Sequence, residues 1–232
     1  MISLLSADPS AERRLAVCLA LIAGYVDAYT LLTAHIYVSF MSGNTTQTGS
    51  MIGQGRLLAA LLTALTIACF VIGATAGAWI TAGKLRNPRQ LLFGAIATAL
   101  AITIGVTFAD TPGRFADACL LTLALAMGLM NATHSHVGAE PMSLTFVTGT
   151  LNRIGTHLAL ALRRAPLPGA QGPGDTHLRR AAAGASVWSG FLAGTIVSAA
   201  ASTSIGVWAL LPPLIALLAL TLFSRSENAK TP

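Results

Sequence analysis

Charged residues are scarce in this chain: only 9% of its 232 residues are Asp, Glu, Lys or Arg, and just eight are acids. A soluble domain has about a quarter of its residues charged. Hydrophobic residues make up 54% of the chain, and the mean hydropathy is +0.69. This balance excludes a soluble catalytic or binding module and predicts an integral membrane protein.

Cysteine and catalytic motifs are also scarce. The three cysteines, Cys18, Cys69 and Cys119, each fall in an apolar run without CxxC spacing, so we predict neither a metal site nor a disulfide framework. No GxSxG, HExxH or P-loop sequence occurs, which argues against ATP-driven transport by this chain alone. The net charge is +6, but the basic residues flank apolar runs and are not interleaved with exposed aromatic residues, so no nucleic-acid partner is expected. We expect no cofactor and no enzyme.

Long apolar runs are what the chain has instead. Six of them approach the 20 residues or so that cross a hydrocarbon core, at 15–34, 60–82, 90–109, 116–135, 183–203 and 205–223. The stretch 165–180 is rich in Pro and Gly and predicts a flexible connector. The predicted fold is an all-α integral membrane protein with six transmembrane helices.

The basic residues predict the orientation of these helices, because Lys and Arg concentrate in cytoplasmic loops. One side holds Arg13, Arg14 and the basic residues of 84–89, 153–180 and 225–230, whereas the other holds only Arg56 and Arg114. Both termini are therefore expected in the cytoplasm.

A short motif occurs twice, as GYVDAYTLLTAHIYVSFMSGNTTQTG from Gly24 and as GLMNATHSHVGAEPMSLTFVTGTLNRIG from Gly128. The aligned pairs are Gly24 with Gly128, Asp27 with Asn131, Ala28 with Ala132 and, after a two-residue insertion, Phe40 with Phe146, Ser42 with Thr148, Gly43 with Gly149 and Gly49 with Gly155. A second match aligns FVIGATAG from Phe70 with FLAGTIVS from Phe191. One half of the chain is a rewritten copy of the other.

The motif segments 38–53 and 143–162 are apolar enough to raise an eight-span alternative. That arrangement would put the basic residues of 84–89 outside while 13–14 stay inside, so the segments are predicted to be Gly-broken re-entrant or half-helical pieces. Each half, 1–109 and 110–232, then has three spans. Because three is odd, the two repeats are predicted to be inverted within one membrane domain.

Asp27 is the only acid well inside an apolar run, and its counterpart is the uncharged Asn131. An ionisable group at membrane depth is costly, so it marks a pathway or a proton relay by default. A buried acid of this kind could carry a proton during transport. The alternative is a carboxylate satisfied by polar neighbours for packing alone.

The run SGNTT and its copy bring hydroxyl and amide groups beside a helix start, where free N–H groups favour an anion or a substrate carboxylate. The candidate binding residues are Ser42, Gly43, Asn44, Thr45 and Thr46 in the first copy and Thr148, Gly149, Thr150, Asn152 and Arg153 in the second. Two roles are open for Arg153: it would neutralise an anionic substrate, or it would only anchor the segment at the membrane interface. The alternative for SGN is a surface helix cap.

Histidines near the motifs offer a further alternative. His35, His134 and His136, with Glu140, lie at the ends of the first and fourth apolar runs. Two histidines two residues apart on a helix do not share a face, so interfacial solvation is favoured over a metal site there.

The segments GYVDAYTLL and VSFMSGNTTQTG resemble the YoaK-like family of six-span bacterial inner-membrane proteins, a domain of unknown function. FMSGNTT preceded by GxxDA carries the resemblance, which covers nearly the whole chain. It implies a multi-pass inner-membrane location but no settled activity. Family members commonly have Arg or Lys soon after SGNT, where this chain has Gln47 and Thr48, so no basic role is expected at that point.

The leading hypothesis is a secondary transporter, in one version an exporter, for a small organic solute or anion driven by a proton or ion gradient. Asp27 would couple transport to the gradient, and the two motif segments would bind substrate between the repeats. Membrane lipids and a small molecule are the expected partners, and a homo-oligomer stays open. The alternatives are a membrane-embedded enzyme acting on a lipid-like substrate, a channel, or an accessory subunit.

Overall fold

The chain is helical in the part that the computed structural model describes, which is residues 9–83, 85–109, 115–133, 136–137, 140–141, 145, 147–170, 172 and 174–229. The helices are α1 Pro9–Ala34, α2 Met41–Gly53, α3 Leu57–Ala82, α4 Pro88–Ala109, α5 Ala116–Ala132, α6 Val147–Leu162, α7 His177–Ile205 and α8 Leu211–Ala229. Between α5 and α6, β1 His136–Val137 pairs antiparallel with β2 Glu140–Pro141. The predicted all-α class is confirmed.

Most predicted apolar runs correspond to helices. Helices α3 and α4 end where the runs 60–82 and 90–109 end, and the short helices α2 and α6 occupy the predicted motif segments. Within the second motif segment, Phe146 lies outside the described residues.

Two boundaries predicted near the end of the chain are wrong. Helix α7 begins at His177 because the Thr176 hydroxyl caps it, accepting from the Arg179 N–H at 3.2 Å, so the connector is shorter than 165–180. The last helix begins at Leu211 because Gly206, at φ +55°, and a 3-10 turn over Gly206–Leu210 interrupt the run from 205.

Four stretches of the described residues are long and apolar enough to cross a membrane: Ala11–Ala34, Leu57–Ala82, Pro88–Ala109 and the 48-residue stretch His177–Ser224. Ala116–Ala132 is a shorter apolar helix. Large apolar side chains point outward, including Leu58 at 86% and Trp79 at 81% exposed. Such a surface is stable against hydrocarbon but not against water.

The long helices pack in two close pairs, α1 with α7 and α3 with α5, while α4 packs against α5 and α8. Phe93 of α4 and Met127 of α5 lie in the core between them, fully buried. The short helix α2 rests on α3, and α6 rests on α7. Each motif helix is therefore held by the long helix that follows it in the chain.

Glycine brings both close pairs into backbone contact. A Cβ on Gly24 would collide with the Phe191 carbonyl oxygen, and a Cβ on Gly128 would collide with that of Phe70. The same holds for Gly194 against Leu21 and for Gly73 against Leu125. The sequence alignments pair Gly24 with Gly128, and the run from Phe70 with the run from Phe191, so the helix pair α1–α7 and the pair α5–α3 make the same contact.

Candidate functional site

Asp27 lies inside α1, and the residue is 2% exposed. Its Oδ1 accepts the N–H of Val38 at 2.9 Å and that of Ser39 at 2.7 Å. Its Oδ2 accepts the Ser39 hydroxyl at 2.6 Å. We call this group of Asp27, Val38 and Ser39 the first junction. All three donors are uncharged, and bonds to a carboxylate are about twice as strong as bonds between neutral groups.

The chain reaches Asp27 again because it reverses at the end of α1. His35 adopts a left-handed conformation, with φ 56°, and its N–H bonds the Leu31 carbonyl at 3.0 Å. Asp27 precedes the last residue of α1 by seven residues, which is about 10 Å along a helix. Residues 36–40 therefore return alongside α1 before α2 begins.

The SGN run holds this returning segment in place. The Asn44 side chain is fully buried, donating from Nδ2 to the Tyr37 carbonyl at 2.6 Å and accepting from the Tyr37 N–H at 3.2 Å. A Cβ on Gly43 would lie 2.5 Å from the Phe40 ring, which contacts the Tyr37 ring edge-on at 5.1 Å between centroids. Helix α2 has Phe40 as its N-cap and no side-chain cap, so SGN is not a helix cap.

The hydroxyls of the first motif face outward. Ser42, Thr45 and Thr46 are exposed. Thr45 donates to the Met41 carbonyl at 2.8 Å and Thr46 to the Ser42 carbonyl at 3.1 Å. Their hydroxyl hydrogens are used within the helix, while each oxygen can still accept a further hydrogen bond.

The second copy of the motif repeats the junction with different chemistry. Asn131 Oδ1 accepts the Thr145 hydroxyl at 3.2 Å, and Asn131 Nδ2 donates to the Met127 carbonyl at 3.1 Å. Thr145 is the counterpart of Ser39 in the alignment. We call Asn131 and Thr145 the second junction, which carries no ionisable group.

The remaining predicted residues lie on α6. Thr148 and Asn152 are exposed, whereas Gly149, Thr150 and Arg153 are half-buried. The structure thus brings Asp27 to the first motif segment and Asn131 to the second, each within its own half. Helices α2 and α6 pack on different long helices, α3 and α7. A common binding site formed by both motif segments therefore stays a prediction.

A pair of histidines at the start of α7 was not predicted from the sequence. His157 Nδ1 and His177 Nδ1 are 2.9 Å apart, and His177 is 6% exposed. The two histidines are twenty positions apart on either side of an irregular connector, so their spacing does not predict that they meet. Of the predicted cluster, His134 and the side chains of His136 and Glu140 lie outside the described residues.

The apolar exterior, the long helices and the two returning segments define the class as a multi-pass helical membrane protein. The chain belongs to the family described as "Protein of unknown function (DUF1275)", which matches residues 15–223. The resemblance to YoaK-like proteins is thereby confirmed.

A similar curated protein is named UPF0700 transmembrane protein RA0705, from Rhizobium meliloti (strain 1021). The two are 32% identical over 153 residues, which is 63% of this chain and 64% of the relative. The chain therefore spans less than two thirds of that relative's length. No solved structure matches the chain.

Proposed function

We propose that the protein crosses the membrane six times as two inverted repeats. The matching glycine contacts of Gly24 and Gly128 support a two-fold duplication, because in each half the first long helix packs against a helix of the other half. With three spans in each half, the second repeat would begin on the opposite face of the membrane, so the duplication would be inverted. The 48-residue stretch His177–Ser224 would be about 70 Å long as one helix, more than twice the hydrocarbon core. Its break at Gly206 lets it cross twice, and α5 supplies the fourth crossing.

The alternation of basic residues supports a bacterial inner-membrane location with both termini in the cytoplasm. Arg89 and Glu12, 3.2 Å apart, join the starts of α4 and α1, as two helices that begin on one side would allow. The ends of α1 and α4 and the start of α5 would then lie on the outer side.

Within this architecture we propose a secondary transporter of a small organic solute, coupled to protons. The observation that carries the proposal is the first junction, in which a carboxylate at membrane depth holds the backbone of a returning segment. Protonation of Asp27 removes the charge that strengthens its three hydrogen bonds. Gain of one proton would therefore loosen the segment that leads into α2, and loss of that proton would fix it.

The second junction supports a division of labour between the halves. Asn131 keeps the shape of Asp27 but has no proton to exchange, so it would hold its segment at any pH. A proton would act on one motif only. The exposed Ser42, Thr45, Thr46, Thr148 and Asn152 would then line the passage past the two segments.

A proton-flux assay tests the coupling. Purified protein in liposomes containing a pH-sensitive dye is given small alcohols, amines and carboxylates in turn. We expect at least one solute to move protons through the wild type and Asp27→Asn to lower that flux by about tenfold or more, because the only proton carrier in the junction is gone. Asp117→Asn, which changes an exposed acid in the first turn of α5, should leave the flux unchanged.

Two outcomes would contradict the proposal. Unchanged proton flux in Asp27→Asn would remove Asp27 from the mechanism. Solute movement without proton movement in the wild type would indicate a passive channel.

A further inference from the structure

Two adjoining cavities, of about 130 Å³ and about 390 Å³, lie where α1 and α4 end and α5 begins. They share Thr103, Val106, Phe115 and Cys119 as lining residues. The smaller one reaches Tyr29 and Thr30 of α1, less than one helical turn beyond Asp27. None of the residues singled out in the motifs lines either cavity.

Among the lining residues that the structure describes, hydroxyl groups supply most of the polar surface and none carries a charge. The hydroxyl-bearing residues are Tyr29, Thr30, Thr33, Thr103, Thr107 and Thr122. Thr33 donates to the Tyr29 carbonyl and Thr122 to the Ala118 carbonyl, each at 2.8 Å. These two hydroxyls have used their hydrogens, so they offer a ligand acceptor lone pairs only.

Thr103 differs from the other hydroxyls. It is 3% exposed, and its Oγ1 is buried without a hydrogen-bond partner while the residue lines both cavities. A buried hydroxyl left unpaired destabilises the fold, so a hydrogen-bond partner brought by a ligand would recover that cost. Thr103 can donate to such a ligand as well as accept from it.

We propose that the two adjoining cavities together bind a neutral amphiphile with a hydroxyl or amide head and a short apolar tail. The head would bond Thr103, while Val106 and Phe115 would contact the tail. The volume of the larger cavity falls within the range of about 300–1,000 Å³ of small-molecule sites. A neutral head is favoured over an ionised one, because none of the described lining residues has a charge that would offset the desolvation of an ion. That this amphiphile is also the transported solute rests on the proposed function.

Photolabelling with a diazirine-bearing octanol tests the site in the full-length protein. We expect adducts to concentrate on the ends of α4 and α5 that line the cavity, and excess octanol to remove them. Octanoate, the same chain ending in a carboxylate, should not compete. Thr103→Val should lower labelling by about fivefold, the worth of one hydrogen bond, without lowering the melting temperature.

The matched control is Thr98→Val on the same helix, because Thr98 is exposed and its hydroxyl already bonds the Gly94 carbonyl at 2.8 Å. It should label like the wild type. Even labelling over all exposed apolar helices, competition by octanoate, or full labelling of Thr103→Val would each overturn the proposal. Labelling without any proton flux would keep the binding site and reject the transporter, whereas flux without labelling would do the reverse.

Discussion

Gly24→Ala and Gly128→Ala should each lower the free energy of unfolding by about 3 kcal/mol, and by similar amounts. Each added methyl would collide with a backbone carbonyl, of Phe191 or of Phe70, which cannot rotate away as a side chain can. The paired helices must therefore separate along their contact, and overpacking of this kind costs about 1–3 kcal/mol or more. Unfolding in detergent, followed by intrinsic fluorescence, measures the loss.

Gly105 and Gly155 provide matched controls on α4 and α6, because a Cβ at either position would meet open space. Alanine there should raise stability by about 0.5–1 kcal/mol through its better helix propensity. The sign of the effect thus depends on the packing alone. A Gly24→Ala variant as stable as Gly155→Ala would mean that α1 and α7 are not in backbone contact.

Asp27→Ala should be the most damaging change at either junction, lowering the free energy of unfolding by about 3–5 kcal/mol. It leaves the N–H groups of Val38 and Ser39 buried without an acceptor, at about 1–3 kcal/mol each. Asp27→Asn keeps an acceptor oxygen in the same place and should cost about 1 kcal/mol, since it loses only the charge. The same unfolding titration compares the two variants.

Equal losses for Asp27→Ala and Asp27→Asn would show that the charge, not the acceptor, holds the returning segment. Ser39→Ala separates the side-chain bond from the two backbone bonds. It should cost less than Asp27→Ala, because both N–H groups keep their partner.

The helices could be predicted because apolar length is a local property of the sequence. The repeat was also visible in the sequence, since glycine, phenylalanine and the small residues recur at the same spacing in both halves. The pairing of Gly24 with Phe191 was not visible, although each residue belongs to a predicted match. A contact between distant helices depends on how they are oriented, and spacing within one helix does not report that.

The junction chemistry was half predictable. Asp27 stood out because an acid in an apolar run is costly, but its partners did not. The reversal that brings Ser39 back to it occurs at His35, a non-glycine residue with positive φ that gives no turn signal in the sequence. Asn44 was predicted to bind substrate, yet its amide is already occupied by the Tyr37 backbone. The threonines that line the cavities come from three helices, and no motif or spacing within any one of these helices marks them as members of a site.

Amide hydrogen exchange at Val38 and Ser39, compared between wild type and Asp27→Asn at each pH, tests the central claim most directly. For each amide, the ratio of the exchange rate in the wild type to that in the variant cancels the intrinsic effect of pH on exchange. We predict slower exchange in the wild type than in Asp27→Asn at about pH 8, where the carboxylate is charged, and a ratio approaching one as the pH falls and Asp27 takes up its proton. A ratio that stays constant across this range would contradict the claim that one proton on Asp27 controls the returning segment.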